Sequence, residues 1–232
     1  MSELRIALVA EGPTDYEIIK AALQAFLPRS FVMTTLQPEA TRPVMGTGWG
    51  GVLKWCHAAG QRHAGPLHLD PTLAGFDLLI VHLDADVAGK QYADCGPAAV
   101  SDAQTFGWAA LPCAQPCPPV TATCARLEIT LDSWLCPATK GQRALYCVPA
   151  QSSGTWLAAA VLPADHALLV DAQCDERVES DLAQLPLFQR IKKTTLEYRR
   201  HSARVCERWH EVKRLCSQAQ HFEQTVLACL GP

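Results

Sequence analysis

Long hydrophobic runs are missing from this sequence. No apolar stretch approaches the ~18 residues that cross a bilayer, so a membrane-spanning helix is not expected. Charge is also sparse: Asp, Glu, Lys and Arg make up 19% of the 232 residues, and the net charge is −3. The chain therefore lacks the overall basic surplus that draws many proteins to polyanions. The N-terminus has no basic start followed by a long apolar segment and a small-residue cleavage site, and the cytoplasm is the expected location. Eleven cysteines are an odd number, and the chain is too long to be a disulfide-stapled miniature, so most are expected as reduced thiols.

What is present is an ordinary globular composition, 49% apolar, with enough length to bury a core without staples. Two short apolar runs, Leu4 to Ala10 and Asp77 to Leu83, read as buried parallel strands. Further strands are expected near 30–36 and 143–148, and a strand or extended connection near 167–171. Helices are expected after Gly12-Pro13-Thr14 with Thr14 as cap, over 52–61, 121–135 and 155–162, at about 176–184, and from about 187 to 229. Residues 38–51 read as a loop, 62–75 as turn-rich, and 87–120 as an irregular insert. Strands alternating with helices predict an α/β fold, a mostly parallel four-stranded sheet flanked by helices. The division expected is a core over 1–172 and a helical C-terminal extension over 173–232.

The chemistry concentrates at the ends of the two strong strands. Glu11 follows the first, with Asp15 four residues on; Asp84 and Asp86 follow the second. Acids past such strands sit at the carboxyl edge of the sheet, where open α/β folds place ligands. Side chains at i and i+2 of an extended segment point the same way, which predicts that Asp84 and Asp86 share a face. Clustered carboxylates repel one another unless a cation neutralises them, and hard oxygen ligands suit Mg²⁺.

Glu11-Gly12-Pro13-Thr14-Asp15 and Asp84-Ala85-Asp86 together resemble the TOPRIM domain, with its glutamate after the first strand and Asp-x-Asp after the third. The likeness covers roughly residues 4–165. It is nearest to the OLD-type nucleases and small TOPRIM-like proteins of bacterial anti-phage defence and mobile-element systems. It implies a Rossmann-like TOPRIM fold and a nuclease that hydrolyses phosphodiester bonds of DNA or RNA with Mg²⁺ or Mn²⁺. Glu11, Asp84 and Asp86 would be catalytic, and Glu11, Asp15, Asp84 and Asp86 would bind metal. Partners implied are nucleic acid, an ATPase or other defence-system subunit, and a second copy of the chain. The pattern departs at Gly154, two positions before Trp156, where a glutamate is expected. That departure keeps open a catalytically weak binding or assembly subunit, and the low positive charge keeps open a phosphoesterase or nucleotidyl-transfer site for a small nucleotide. Four tyrosines and no companion domain argue against a topoisomerase.

Outside that cluster, the stretch Arg190 to Arg214 carries nine Lys and Arg against three Glu. It is either the solvated face of a helix or a phosphate-binding surface, with Lys192, Lys193, Arg199 and Arg200 as candidate substrate contacts. Cys95, Cys113, Cys117 and Cys124 are a weak zinc candidate, lacking the Cys-x2-Cys spacing. Gly46 to Gly51 reads as a flexible loop. His82, inside a strand, reads as a core histidine, and His57, His63 and His68 lack an obvious metal partner.

Overall fold

A computed structural model describes residues 3–39, 41 and 43–231. Ala40 and Arg42 of the expected loop lie outside the described residues. Among the described residues six strands form: β1 Leu4–Val9, β2 Phe31–Gln37, β3 Gly65–Pro66, β4 Leu78–His82, β5 Ala138–Thr139 and β6 Ala144–Cys147. Four of them make one parallel sheet in the order β2-β1-β4-β6, and β3 pairs with β5 in a small parallel ribbon. The helices are α1 Pro13–Phe26, α2 Gly48–Arg62, α3 Pro97–Phe106, α4 Thr121–Leu135, α5 Ser153–Val161, α6 Val178–Leu182, α7 Thr195–Glu207, α8 Trp209–Leu215 and α9 Ser217–Leu230.

Alternation along the strands divides the core into two layers. Leu4, Ile6 and Leu8 of β1, Leu78 and Ile80 of β4, and Leu145 of β6 face one layer, with α1, α5 and α7–α9. Ala7, Val9, Leu79, Val81 and Tyr146 face the other, with α2, α4 and the insert. The C-terminal helices thus close the same hydrophobic core as the first strand and helix: Trp156 of α5 packs between Trp209 and Phe222.

The strand order decides where a ligand would bind. The chain passes from β1 to β2 on one side, then crosses over to β4 on the other side of β1. The carboxyl ends of β1 and β4 therefore flank the reversal point of the sheet, the usual crevice of open α/β folds.

Several expectations change. The helix after β1 is capped by Gly12, not Thr14. α2 begins at Gly48, so the glycine-rich segment is its first turn rather than a flexible loop; a Cβ on Gly51 would lie 2.3 Å from Gln37 Nε2. The insert contains α3, introduced by Gly96-Pro97 and stopped by Gly107 at φ 65°. Residues 167–169 form a short 3-10 turn rather than a strand. Residues 187–194 are not helical, and the final helices start at Thr195.

Candidate metal centre

Glu11 lies just past β1 and Asp84 just past β4, and because these strands are hydrogen-bonded neighbours the two acids meet. The Asp84 N–H donates to Glu11 Oε1 at 2.8 Å. Oxygens of Glu11, Asp84 and Asp86 all lie within 4.8 Å of one another. The reason differs from the alternation argument, because Ala85–Gly89 is a 3-10 turn, not an extended segment. The turn is pinned by the Asp86 N–H, which donates to the Gln151 carbonyl at 3.0 Å.

Asp15 joins a second, deeper group with His82 and Asp84. It stands in the first turn of α1, where its Oδ2 accepts the Gly12 N–H at 2.8 Å and the dipole favours negative charge. Ser153, the first residue of α5, links the groups. Its hydroxyl donates to Asp15 Oδ1 at 2.7 Å and its N–H donates to Asp84 Oδ1 at 3.0 Å. Asp84 is thus shared between the two groups.

His82 is the residue that sequence reasoning underrated. It is fully buried, with Nε2 3.1 Å from Asp84 Oδ1 and Nδ1 3.8 Å from Asp15 Oδ2. Neither ring nitrogen makes a well-directed hydrogen bond. Burial disfavours the imidazolium, but Asp15, Asp84 and Glu11 outweigh it and raise the pKa to about 9. A signal was available: His82 has the parity of Leu78 and Ile80, so a polar side chain interrupts an otherwise apolar inward row and precedes Asp84 on the same face.

The carboxylates carry the marks of crowding. Burial and the neighbouring Asp84 push Glu11 well above the ordinary carboxylate range. Burial pushes Asp84 to about 6, with Asp15 adding and His82 opposing. Burial also raises Asp86, against the pull of Lys90, 3.6 Å away, and of Lys193. Glu11, Asp84 and Asp86 crowd together on one side, an arrangement that suits a cation, while His82 offsets Asp15 and Asp84 on the other.

Gly154, the departure from the family pattern, is filled from elsewhere. A Cβ there would lie 2.6 Å from Glu179 Oε1 of α6. Glu179 accepts from the Tyr198 hydroxyl and, at 2.7 Å, from Lys193 Nζ. A carboxylate thus stands beside the cluster, brought by another helix.

The basic stretch is largely committed. Lys193 pairs with Glu179, Arg199 pairs with Glu17 across the α1–α7 contact at 2.7 Å, and Arg200 pairs with Glu197 at 2.7 Å. Lys192 is exposed. Of these, Lys193 has a charge that bears on the cluster: burial works against its ammonium, but Glu179, and then Asp84 and Asp15, raise its pKa.

The zinc candidate is not assembled. Cys117 is disulfide-bonded to Cys174, and among the described residues no cysteine belongs to a group that could hold a metal. The other nine cysteines are free. His57 packs against Phe106 and Trp108, His63 Nε2 lies 3.2 Å from the Pro66 carbonyl, and His68 accepts from the Gln142 N–H.

Compared with protein-family models, with curated proteins and with solved structures, the chain matches none.

Proposed function

We propose that this chain is a divalent-metal-dependent phosphodiester hydrolase of TOPRIM type, using Mg²⁺ or Mn²⁺ to cleave DNA or RNA. The observation that carries the reading is the convergence of Glu11, Asp84 and Asp86 within 4.8 Å at the reversal point of a parallel sheet. Glu11, Asp84 and Asp86 would hold the cation on the open side, with Asp15 and His82 beneath. A bound divalent cation supplies Lewis-acid polarisation of a phosphoryl oxygen and a more acidic water.

The protein's own groups do the positioning. The Asp84 N–H fixes Glu11 Oε1, and the Ser153 N–H fixes Asp84 Oδ1, so both ligands are oriented from behind by backbone rather than by flexible side chains. Buried His82 offsets part of the carboxylate charge. Lys193 is placed to favour a phosphate near the cluster, held by Glu179 until one arrives. An ATPase or other defence-system partner follows from the family resemblance alone.

Strand cleavage with Mn²⁺, on single- and double-stranded DNA and RNA, tests the reading. The Asp84→Ala/Asp86→Ala double variant should lose about a hundredfold or more in rate. Equal cleavage by variant and wild type removes the claim.

A further inference from the structure

A cavity of about 420 Å³ opens directly beside Asp86, within the roughly 300–1,000 Å³ of small-molecule sites. Its walls come from four places: the turn 85–89, the insert with the start of α4, the segment after α5 that leads into α6, and Gln151 in the β6–α5 turn. The Cys117–Cys174 bond joins the insert to the segment before α6.

Two features of the lining are not explained by folding. Gly89 has no positive φ, and a Cβ on it would meet nothing within 4 Å. Neither backbone nor packing requires glycine there, and a side chain at this lining position has room to enter the cavity. Gln151 is held at φ 61°, a left-handed conformation uncommon for a residue with a side chain, and it lines the same cavity while its carbonyl holds the Asp86 N–H. Strain at a non-glycine residue persists only where surroundings over-determine it, and it concentrates at ligand sites.

The lining also states what would fit. Gln115, Gln151 and Thr123 bring amide and hydroxyl groups, and Val120, Ala85 and Ala88 bring apolar surface. Among the described residues, no hydrogen bond uses the amide oxygen of Gln115 or Gln151. Of the charged lining groups, Asp86, Asp175 and Glu176 are acidic and Arg177 alone is basic, tied to Asp175 at 3.2 Å; Lys90 and Lys193 act on Asp86 from outside the cavity. A negative cavity rejects a bare phosphate. It accepts an uncharged, flat, hydrogen-bonding group whose attached phosphate lies outside, over the carboxylate cluster.

We propose that this cavity is a nucleoside subsite, receiving the base and sugar next to the phosphate that the carboxylate cluster handles. The inference rests on the phosphodiesterase reading for that phosphate, and it adds a wall-specific recognition site for the neighbouring nucleoside. Gln115 and Gln151 read the base edge, and Thr123 and the apolar residues of the insert form the platform.

The test uses the full chain and four nucleosides, adenosine, guanosine, cytidine and uridine, followed by calorimetry or NMR titration. At least one should bind the wild type in the millimolar range, and Gly89→Leu should weaken it by roughly tenfold or more. Mn²⁺ affinity should stay within about twofold, since Gly89→Leu leaves every candidate ligand in place. Ala114→Trp, a lining position of the insert, repeats the measurement should Gly89→Leu fail to fold. Inorganic phosphate without metal should not compete. No binding of any nucleoside, unchanged binding in the filled variants, or displacement by phosphate alone overturns the proposal. Strand cleavage measured in parallel separates the two claims. A wild type that cleaves, with nucleoside binding indifferent to the filled cavity, removes the subsite and keeps the hydrolase. A wild type that cleaves nothing, yet binds a nucleoside lost on filling, keeps the cavity as a binding site and removes the hydrolase.

Discussion

Asp84 shows how much one side chain can organise. Its N–H orders Glu11, its Oδ1 accepts from Ser153, and His82 lies 3.1 Å from the same oxygen. Gly154 is the complementary case, a residue whose lack of a side chain makes room for Glu179. Gly154→Ala should force that carboxylate away and cost about 1–3 kcal/mol, the usual range for overpacking a close contact. Urea unfolding would measure it. If displacement of Glu179 is the cause, Tyr198→Phe should cost less in the Gly154→Ala background than in the wild type, because the Tyr198–Glu179 bond is already broken. Additive costs would exclude that cause. Glu11, Asp15, Asp84 and Asp86 were legible at this scale because acids after apolar runs stand out. Glu179 was not, since nothing local marks an acid in a short charged helix as the neighbour of residue 154.

Among the elements, α5 is the most revealing. It is buried along most of its length, and its first residue, Ser153, supplies two of the bonds that order the candidate centre. Its other end leaves carbonyls that no intrahelical N–H can reach. Arg208, between α7 and α8, donates to the Ala160 carbonyl at 2.9 Å and the Leu162 carbonyl at 3.2 Å. Arg208→Ala should therefore lower stability by about 1–2 kcal/mol, and Arg208→Lys, whose single nitrogen cannot serve these carbonyls and Glu211 together as Nη1 and Nη2 do, should recover only part. Guanidinium chloride midpoints of the three proteins decide this; equal midpoints would refute it. Element by element, β1 and β4 were readable from apolar runs of the right length. α3 was not, because it buries only Ala99 and so carries almost no periodic signal, although Pro97 and Gly107 mark its ends. The start of α2 was hidden by glycines that a loop would also favour.

At the scale of the whole molecule, the C-terminal helices belong to the core they cover. Ile18, Leu23 and Trp156 are fully buried in the layer that Val205, Trp209 and Phe222 help close. Deleting residues 195–232 should abolish the cooperative unfolding transition, with circular dichroism and dye binding reporting exposed apolar surface. A shortened chain that unfolds cooperatively would overturn that expectation. On the opposite layer, Asp70 is fully buried and accepts two bonds from Arg62, at 2.9 and 2.7 Å, and two from Thr72, at 2.8 Å. Burial alone would raise its pKa, but these donors hold it below the ordinary aspartate value. A depressed folded-state pKa stabilises above the unfolded-state value of about 3.9, and the gain is lost as pH falls through the folded-state value. Asp70→Asn should then cost about 3 kcal/mol near neutral pH, the low end for breaking a buried pair because Arg62 is 39% exposed. The gap should shrink as pH drops below about 4. A gap independent of pH would refute the electrostatic account.

The sequence by itself determined the strand-helix alternation, the parallel sheet and the acids at its edge, because period-2 burial and capping chemistry are local and leave local marks. Strand order was not local. Only the fold placed β4 beside β1, and with it Asp84 against Glu11, then brought Ser153 to Asp15 across 138 positions and Glu179 to the space above Gly154. Those meetings depend on which surfaces bury against which. That is a property of the assembled layers and not of any window of residues.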